Sequence, residues 1–383
     1  MSVTAPQGFR AAGVAAGLKS SGAPDVALVV NDGPQDSAAA VFTTNRFPAA
    51  PVQWSRQVLA TGRLRAVVLN SGGANACTGP EGFADTHATA EHTAAELGLG
   101  AIDVAVASTG LIGVRLPMDR LLPGVTDAAE GLAADGGPEA ARAIMTTDSV
   151  PKTTVVQRDG WSVGGMAKGA GMLAPSLATM LVVLTTDAAV DSATLQAALQ
   201  QATGVSLERV DSDGCLSTND TVIAMANGAG GVTPGAEEVT EALTAAATDL
   251  AMQLLADAEG STKDIAITVR NAATVQDALT AGRACARNNL LKTALFGNDP
   301  NWGRVLAAIG TTDAAFEPDR VDVTINGVTV CRGGAIGDPR EGVDLTGRAI
   351  TIDVDLGAGG EQATIWTNDL SIAYVHENSA YST

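Results

Sequence analysis

The stretch KGAGMLAPSLATM, from Lys168 to Met180, sets a lysine, a glycine-rich turn and a proline ahead of an Ala178–Thr179 bond. An apolar run, Thr179–Leu184, begins at once and reads as a buried strand. Thr179 therefore stands where a loop delivers a hydroxyl to the head of a strand. A threonine hydroxyl is a poor nucleophile at neutral pH. It becomes useful when its own α-amine is free, because that amine has a pKa of about 8 and lies within reach of Oγ. Such an amine exists only if the Ala178–Thr179 bond is cut. The same residues also read as an ordinary strand-start threonine after a flexible loop, and taken alone they favour that reading.

Other chemistries find less support. Gly169 to Ala174 satisfies GxGxxA, but Pro175 and a strand-like run follow where a dinucleotide site needs a helix. His87 and His92 are five residues apart, which turns them about 500° around a helix instead of the about 400° of a metal-binding i,i+4 pair. The third and last histidine is His376. No metal site is expected, and the histidines read as partly exposed helix residues. GxxxxGK[ST] does not occur. With three histidines in the chain, base chemistry points to lysine, carboxylates or a chain-terminal amine.

These side chains need a scaffold. Val26–Val30, Ala39–Thr43, Ala66–Leu69 and Val104–Ala107 are short apolar runs bounded by turn residues, which suits buried strands. Pro80 to Leu97 reads as a helix with Phe83, His87, Ala90 and Ala94 along one side. Further helices are expected over 192–202, 237–256 and 272–288. In the last third Asp264–Arg270 and Ile350–Leu356 alternate like strands, and Val321–Ile325 and Val328–Val330 flank Asn326-Gly327, a strong hairpin signal. Strands and helices alternate without linker, low-complexity tract or fixed-period repeat. The chain is expected to be an α/β protein with sheet on both sides of its midpoint.

Composition narrows the partners. The 383 residues include 43 glycines and only 3% aromatics, so the interior must be built from closely packed Ala, Val, Leu and Ile. A hydrophobic fraction of 46% with 17% charged residues excludes a disordered chain. The 23 basic and 42 acidic residues sum to −19, which repels phosphate backbones and anionic lipid and argues against nucleic acid and membrane partners. No apolar stretch approaches the about 20 residues that span a bilayer. The first residues lack the basic-then-apolar pattern of a leader. Cys77, Cys215, Cys285 and Cys331 lie far apart with no CxxC and read as reduced thiols, so a cytoplasmic location is expected.

Several blocks together carry a resemblance. They are GFRAAG (Gly8 to Gly13), VFTTN (Val41 to Asn45), NSGGANACTG (Asn70 to Gly79), STGLIG (Ser108 to Gly113) and IMTTD (Ile144 to Asp148). The Lys168–Met180 stretch, STNDT (Ser217 to Thr221) and KTALFGNDPNWGR (Lys292 to Arg304) continue the series. In this order, over essentially the whole chain, they resemble the ornithine acetyltransferase family, also called glutamate N-acetyltransferases. Gly73, Ser176-Leu177 and the DSDGCL run from Asp211 depart from the commoner family pattern.

The resemblance implies a self-processing enzyme of arginine biosynthesis. Its fold would be an αββα sandwich of the ornithine acetyltransferase/DmpA type, superficially like N-terminal-nucleophile hydrolases. The chain would cut itself between Ala178 and Thr179 into an alpha chain, 1–178, and a beta chain, 179–383, whose last about 110 residues form a smaller strand-rich domain. Thr179 would take acetyl from N2-acetylornithine and pass it to L-glutamate by double displacement. Thr109 and Gly110 would stabilise the oxyanion. Substrate contacts carry over to Thr146, Lys168, Thr179, Glu259, Asn378 and Thr383. No cofactor is implied, acetyl-CoA is left open as a co-substrate, and alpha and beta chains would assemble as alpha2beta2.

Two other readings use the same residues. A hydrolase on this scaffold, an aminopeptidase or deacetylase, would resolve the acyl-enzyme with water. A non-enzymatic binding protein would never be cut at all.

Overall fold

The computed structural model describes residues 2–172 and 180–380. The chain opens with strands β1 (Phe9–Val14), β2 (Val26–Asn31) and β3 (Ser37–Phe42), helix α1 (Ala50–Leu59), strand β4 (Ala66–Asn70) and helix α2 (Gly79–Leu97). Strand β5 (Val104–Ser108), helices α3 (Met118–Glu130) and α4 (Gly137–Ala143), and the hairpin of β6 (Lys152–Arg158) and β7 (Trp161–Lys168) follow. Next come β8 (Leu181–Thr186), α5 (Ser192–Val205), β9 (Thr221–Ala226) and α6 (Ala236–Ala256). The last third begins with β10 (Asp264–Ala272) and helices α7 (Val275–Ala286), α8 (Asn289–Phe296) and α9 (Trp302–Ile309). Strands β11 (Asp322–Ile325), β12 (Val328–Arg332), β13 (Ala335–Ile336), β14 (Ala349–Asp355) and β15 (Glu361–Asn368) and helix α10 (Ile372–Ala380) complete it.

Two sheets lie face to face. One has the order β1-β2-β4-β5 and the other β3-β9-β8-β7-β6 among the described residues. Met166, Leu181, Val183, Ile223 and Met225 of the second sheet share one apolar core with β2, β4 and β5 of the first. Helices α2 and α3 cover the first sheet through Ala90, Ala94, Leu121 and Val125. On the far face of the second, Val163, Val182, Leu184 and Val222 pack against Leu195, Leu199, Leu243 and Leu250 of α5 and α6. The result is the expected αββα sandwich. A strand covered on both faces has no polar side to show, so it reads as a continuous apolar run. β2, β4, β5, β8 and β9 are buried at every position.

The third sheet, β13-β12-β11-β14-β10-β15, has its own apolar core under α7 and α9. Its strands alternate because one face is covered and the other is open, as the inward Ile265, Ile267 and Val269 of β10 show. The hairpin turns at Asn326 and Gly327, both at positive φ, where the sequence places it.

One helix differs from its expected bounds. The run over 272–288 divides, because β10 continues to Ala272 and the Thr274 hydroxyl accepts from the Asp277 N–H at 3.0 Å, capping a helix that starts at Val275. All four cysteines are free. His87 and His92 lie on α2 beside Glu91 and Glu96, one turn on.

Candidate active site

Six expected site residues meet at one small cavity. Thr109 and Gly110 come from the turn after β5, and Thr146 from the segment after α4. Lys168 closes β7, Glu259 follows α6, and Asn378 lies on α10. Thr147, Gly171 and Met172 complete the wall. Ala178, Thr179 and Thr383 lie outside the described residues. Lys168 stands opposite Leu181 in the antiparallel β7–β8 register, so the cavity opens where β8 begins.

The cavity's polar groups are held from behind. Lys168 is buried, and its Nζ donates to the Thr109 hydroxyl oxygen at 3.3 Å. That leaves the Thr109 O–H able to donate in turn. The Gly110 N–H meets no acceptor among the described residues. Gly110 has φ +129, and a Cβ there would lie 2.8 Å from the Gly73 nitrogen, so the turn requires glycine. Gly73 in turn donates its N–H to the Thr109 carbonyl at 3.0 Å. A hydroxyl and a neighbouring free N–H on a backbone-braced turn can serve as donors to an oxyanion.

Glu259, on the same cavity, receives the Asn378 amide on Oε2 at 3.0 Å. Its own N–H donates to the Ala170 carbonyl at 2.9 Å, tying the end of α6 to the loop after β7. Gly171 comes so close that a Cβ would sit 2.6 Å from the Glu259 carboxylate. The cavity thus has a lysine amine and a carboxylate among its lining groups.

Burial is the main influence on Lys168 and pushes its pKa down, while Asp148, Asp220 and Glu259 oppose it and Lys152 adds to it. Asp148 answers the reverse pressure. Burial alone would raise it, yet the Lys168 and Lys152 charges and the Gly169 N–H hold it below the ordinary carboxylate range. Its Oδ1 accepts from Gly169 N–H at 2.7 Å and Lys152 Nζ at 2.6 Å, and its Oδ2 from Thr146 N–H at 2.9 Å. Lys152, fully buried, also reaches Asp257 at 2.5 Å, two residues before Glu259. One buried carboxylate therefore braces Thr146 and the Lys168 turn, and through Lys152 the end of α6.

Sequence reasoning missed this brace. Asp148 lies inside a block quoted for the resemblance, but without a role, and Lys152 carries no local signal. Asn219 and Asp220 were missed in the same way. The Asn219 amide donates to the carbonyls of Ser108 and Ala74, and Asp220 accepts from the Met180 N–H at 3.0 Å.

Comparison with known proteins assigns the lineage. The ArgJ family model matches residues 10–383. The arginine biosynthesis bifunctional protein ArgJ of Streptomyces coelicolor is 64% identical over 382 residues, covering 100% of both chains. The protein of that name in Mycobacterium tuberculosis H37Rv is 59% identical over 388 residues, covering 99% of this chain and 96% of its own. Among solved structures, a chain of the ornithine acetyltransferase of M. tuberculosis complexed with ornithine is 66% identical, with a TM-score of 0.45, covering 45% of this chain and 94% of that one. With a family model over nearly all its length and full-length relatives at this identity, the chain belongs to the ArgJ family, the ornithine acetyltransferases that its sequence blocks resemble.

Proposed function

We propose that the chain is an acetyltransferase of arginine biosynthesis that carries acetyl from N2-acetylornithine to L-glutamate through an ester on Thr179. The observation that supports it most is the full-length 64% identity to an arginine biosynthesis ArgJ protein. The meeting of Thr109, Gly110, Thr146, Lys168, Glu259 and Asn378 at one cavity adds to it.

In this reading the Ala178–Thr179 bond is cut, giving chains 1–178 and 179–383 that assemble as alpha2beta2. The Thr179 hydroxyl attacks the acetyl carbonyl while its α-amine accepts the proton. The oxyanion forms against the Thr109 hydroxyl and the Gly110 N–H. The C–N bond breaks, ornithine leaves with the proton, and acetyl-Thr179 remains. Glutamate's amine then attacks the ester through a second oxyanion, and the Thr179 hydroxyl is restored as N-acetylglutamate departs. Lys168 pairs with a substrate carboxylate, and Glu259, steadied by Asn378, with the ornithine side-chain ammonium. Thr146 and Thr383 contribute further substrate contacts.

No cofactor is required. The word bifunctional in the relatives' names supports acetyl-CoA as a second donor to glutamate. Small-molecule substrates and a cytoplasmic site of action complete the reading.

Intact mass tests it. At 38.4 kDa for 383 residues, cutting gives chains of about 18 and about 20 kDa. Thr179→Ala should stay one uncut chain that makes no acetylglutamate. An uncut chain with full transfer activity refutes the proposal.

A further inference from the structure

Asn219 and Asp220 are neighbours in the segment that enters β9, and both are buried, at 4% and 0% exposure. Each holds a different wall of the site. The Asn219 Nδ2 donates to Ser108 O at 2.7 Å and to Ala74 O at 2.6 Å. Ser108 precedes Thr109, and Ala74 follows the Gly73 that donates to the Thr109 carbonyl, so both sides of the oxyanion turn are pinned. The Thr218 hydroxyl donates to Asn219 Oδ1 at 2.6 Å and fixes which way the amide faces. Asp220 turns to the other wall. Its Oδ1 accepts the Met180 N–H at 3.0 Å, while the Met180 carbonyl accepts from Thr221 N–H at 3.1 Å. The residue after Thr179 is thus held by both backbone groups.

We propose that Asn219 and Asp220 act as one positioning pair, fixing the separation between the donors at Thr109–Gly110 and the backbone that presents Thr179. This rests on the reading of Thr179 as nucleophile. Neither side chain needs to touch substrate. Adjacent residues on one short, buried segment transmit no slack, so the nucleophile and the oxyanion donors are set against a common frame.

A second observation points the same way. Among the described residues Asp220 Oδ2 is buried without a hydrogen bond of good geometry, although the Ser217 side chain bears on the carboxyl, an arrangement unfavourable for an aspartate kept only for packing. Burial also raises the Asp220 carboxyl well above its usual range, against the Met180 N–H, the Ser217 side chain and the Lys168 charge. Asparagine keeps an oxygen to accept the Met180 N–H while removing the carboxyl that bears on Lys168.

The test uses the full-length enzyme and three variants: Asp220→Asn, which keeps an acceptor for Met180; Asp220→Ala, which removes it; and Asn219→Ala, which releases Ser108 and Ala74. Acetyl transfer from N2-acetylornithine to glutamate is measured alongside amide hydrogen exchange over 108–113 and 180–186. Both alanine variants should lose roughly a hundredfold in kcat, the scale of a small misplacement, with KM within about threefold. Asp220→Asn should recover kcat to within about threefold of wild type. Exchange should quicken at 180–182 in Asp220→Ala and at 108–113 in Asn219→Ala, while β2 and β4 stay protected. Wild-type kcat in Asp220→Ala, or an asparagine variant as impaired as the alanine one, overturns the pair. Should Asp220→Ala fail to fold, Asn219→Ala and Asp220→Asn decide the question. A wild-type chain that is neither cut nor active would sink the Thr179 reading instead, and the exchange pattern would still decide whether the pair holds the two walls.

Discussion

Replacing Asp148 with asparagine removes the charge at the centre of the buried brace while keeping its shape. The carboxylate accepts three hydrogen bonds, from Gly169 and Lys152 on Oδ1 and from Thr146 on Oδ2. An amide has one acceptor oxygen, so in either orientation its NH2 faces a donor. Leaving a buried N–H unmet costs about 1–3 kcal/mol. Breaking a buried ion pair costs about 3–5 kcal/mol, but Lys152 keeps Asp257 as a counter-ion, so the full penalty does not fall on it. A loss of about 3 kcal/mol is expected at pH 7, measured by urea unfolding followed through tryptophan fluorescence. The pH dependence separates this cause from simple misfit. Asp148 has a folded pKa below its unfolded value of about 3.9, so its contribution is present above that value and is lost as pH falls through the lower folded one. The gap between wild type and Asp148→Asn should be constant from pH 7 to about 5 and close below about 4. A gap that persists unchanged in acid, or none at pH 7, would refute the brace.

Two further outcomes follow from the same site and its surroundings. Gly171→Ala places a methyl against the end of the flexible Glu259 side chain, so the fold should survive with an unchanged thermal midpoint. Displacing Glu259 from Asn378 should raise the KM for N2-acetylornithine roughly tenfold or more, the scale of one charge-assisted hydrogen bond, and an unchanged KM speaks against Glu259 as a substrate contact. Lys292 lies buried with its Nζ on the Ser212 carbonyl and the Thr367 hydroxyl, and burial pushes its pKa down to about 8. Because the unfolded chain then binds the proton more tightly, the stability of wild type relative to Lys292→Met should rise between about pH 8 and about 10. Unfolding titrations that run parallel across that range would rule this out.

The elements that the sequence made legible share one property: their pattern is local. β2, β4, β5 and β8 announce themselves as apolar runs because both faces of each are covered, and α2 is bounded by Pro80 near its start and Gly98 in the left-handed region at its end. Segments without that contrast were not read as elements. β7 carries Gly164 and Gly165 inside a buried strand, and β1 and α4 are short runs dominated by Ala and Gly. Within the site, Thr109, Gly110, Thr146 and Lys168 lie in family blocks, while Glu259 and Asn378 lie in none and follow from the resemblance alone, since no spacing in the chain relates residues as distant as Thr109 and Asn378. Their meeting at one cavity comes from the layered fold.

By itself the sequence determined the α/β class, the hairpin at Asn326-Gly327 and the family. Tertiary structure alone decided which charges are buried and with whom. Lys152 carries no local signal until Asp257, more than a hundred residues on, is brought to 2.5 Å. Asp220 is an unremarked acid until the Met180 amide meets it. The reason is physical. Backbone periodicity is written in near neighbours, whereas the energy of a buried charge depends on partners that only the folded chain assembles.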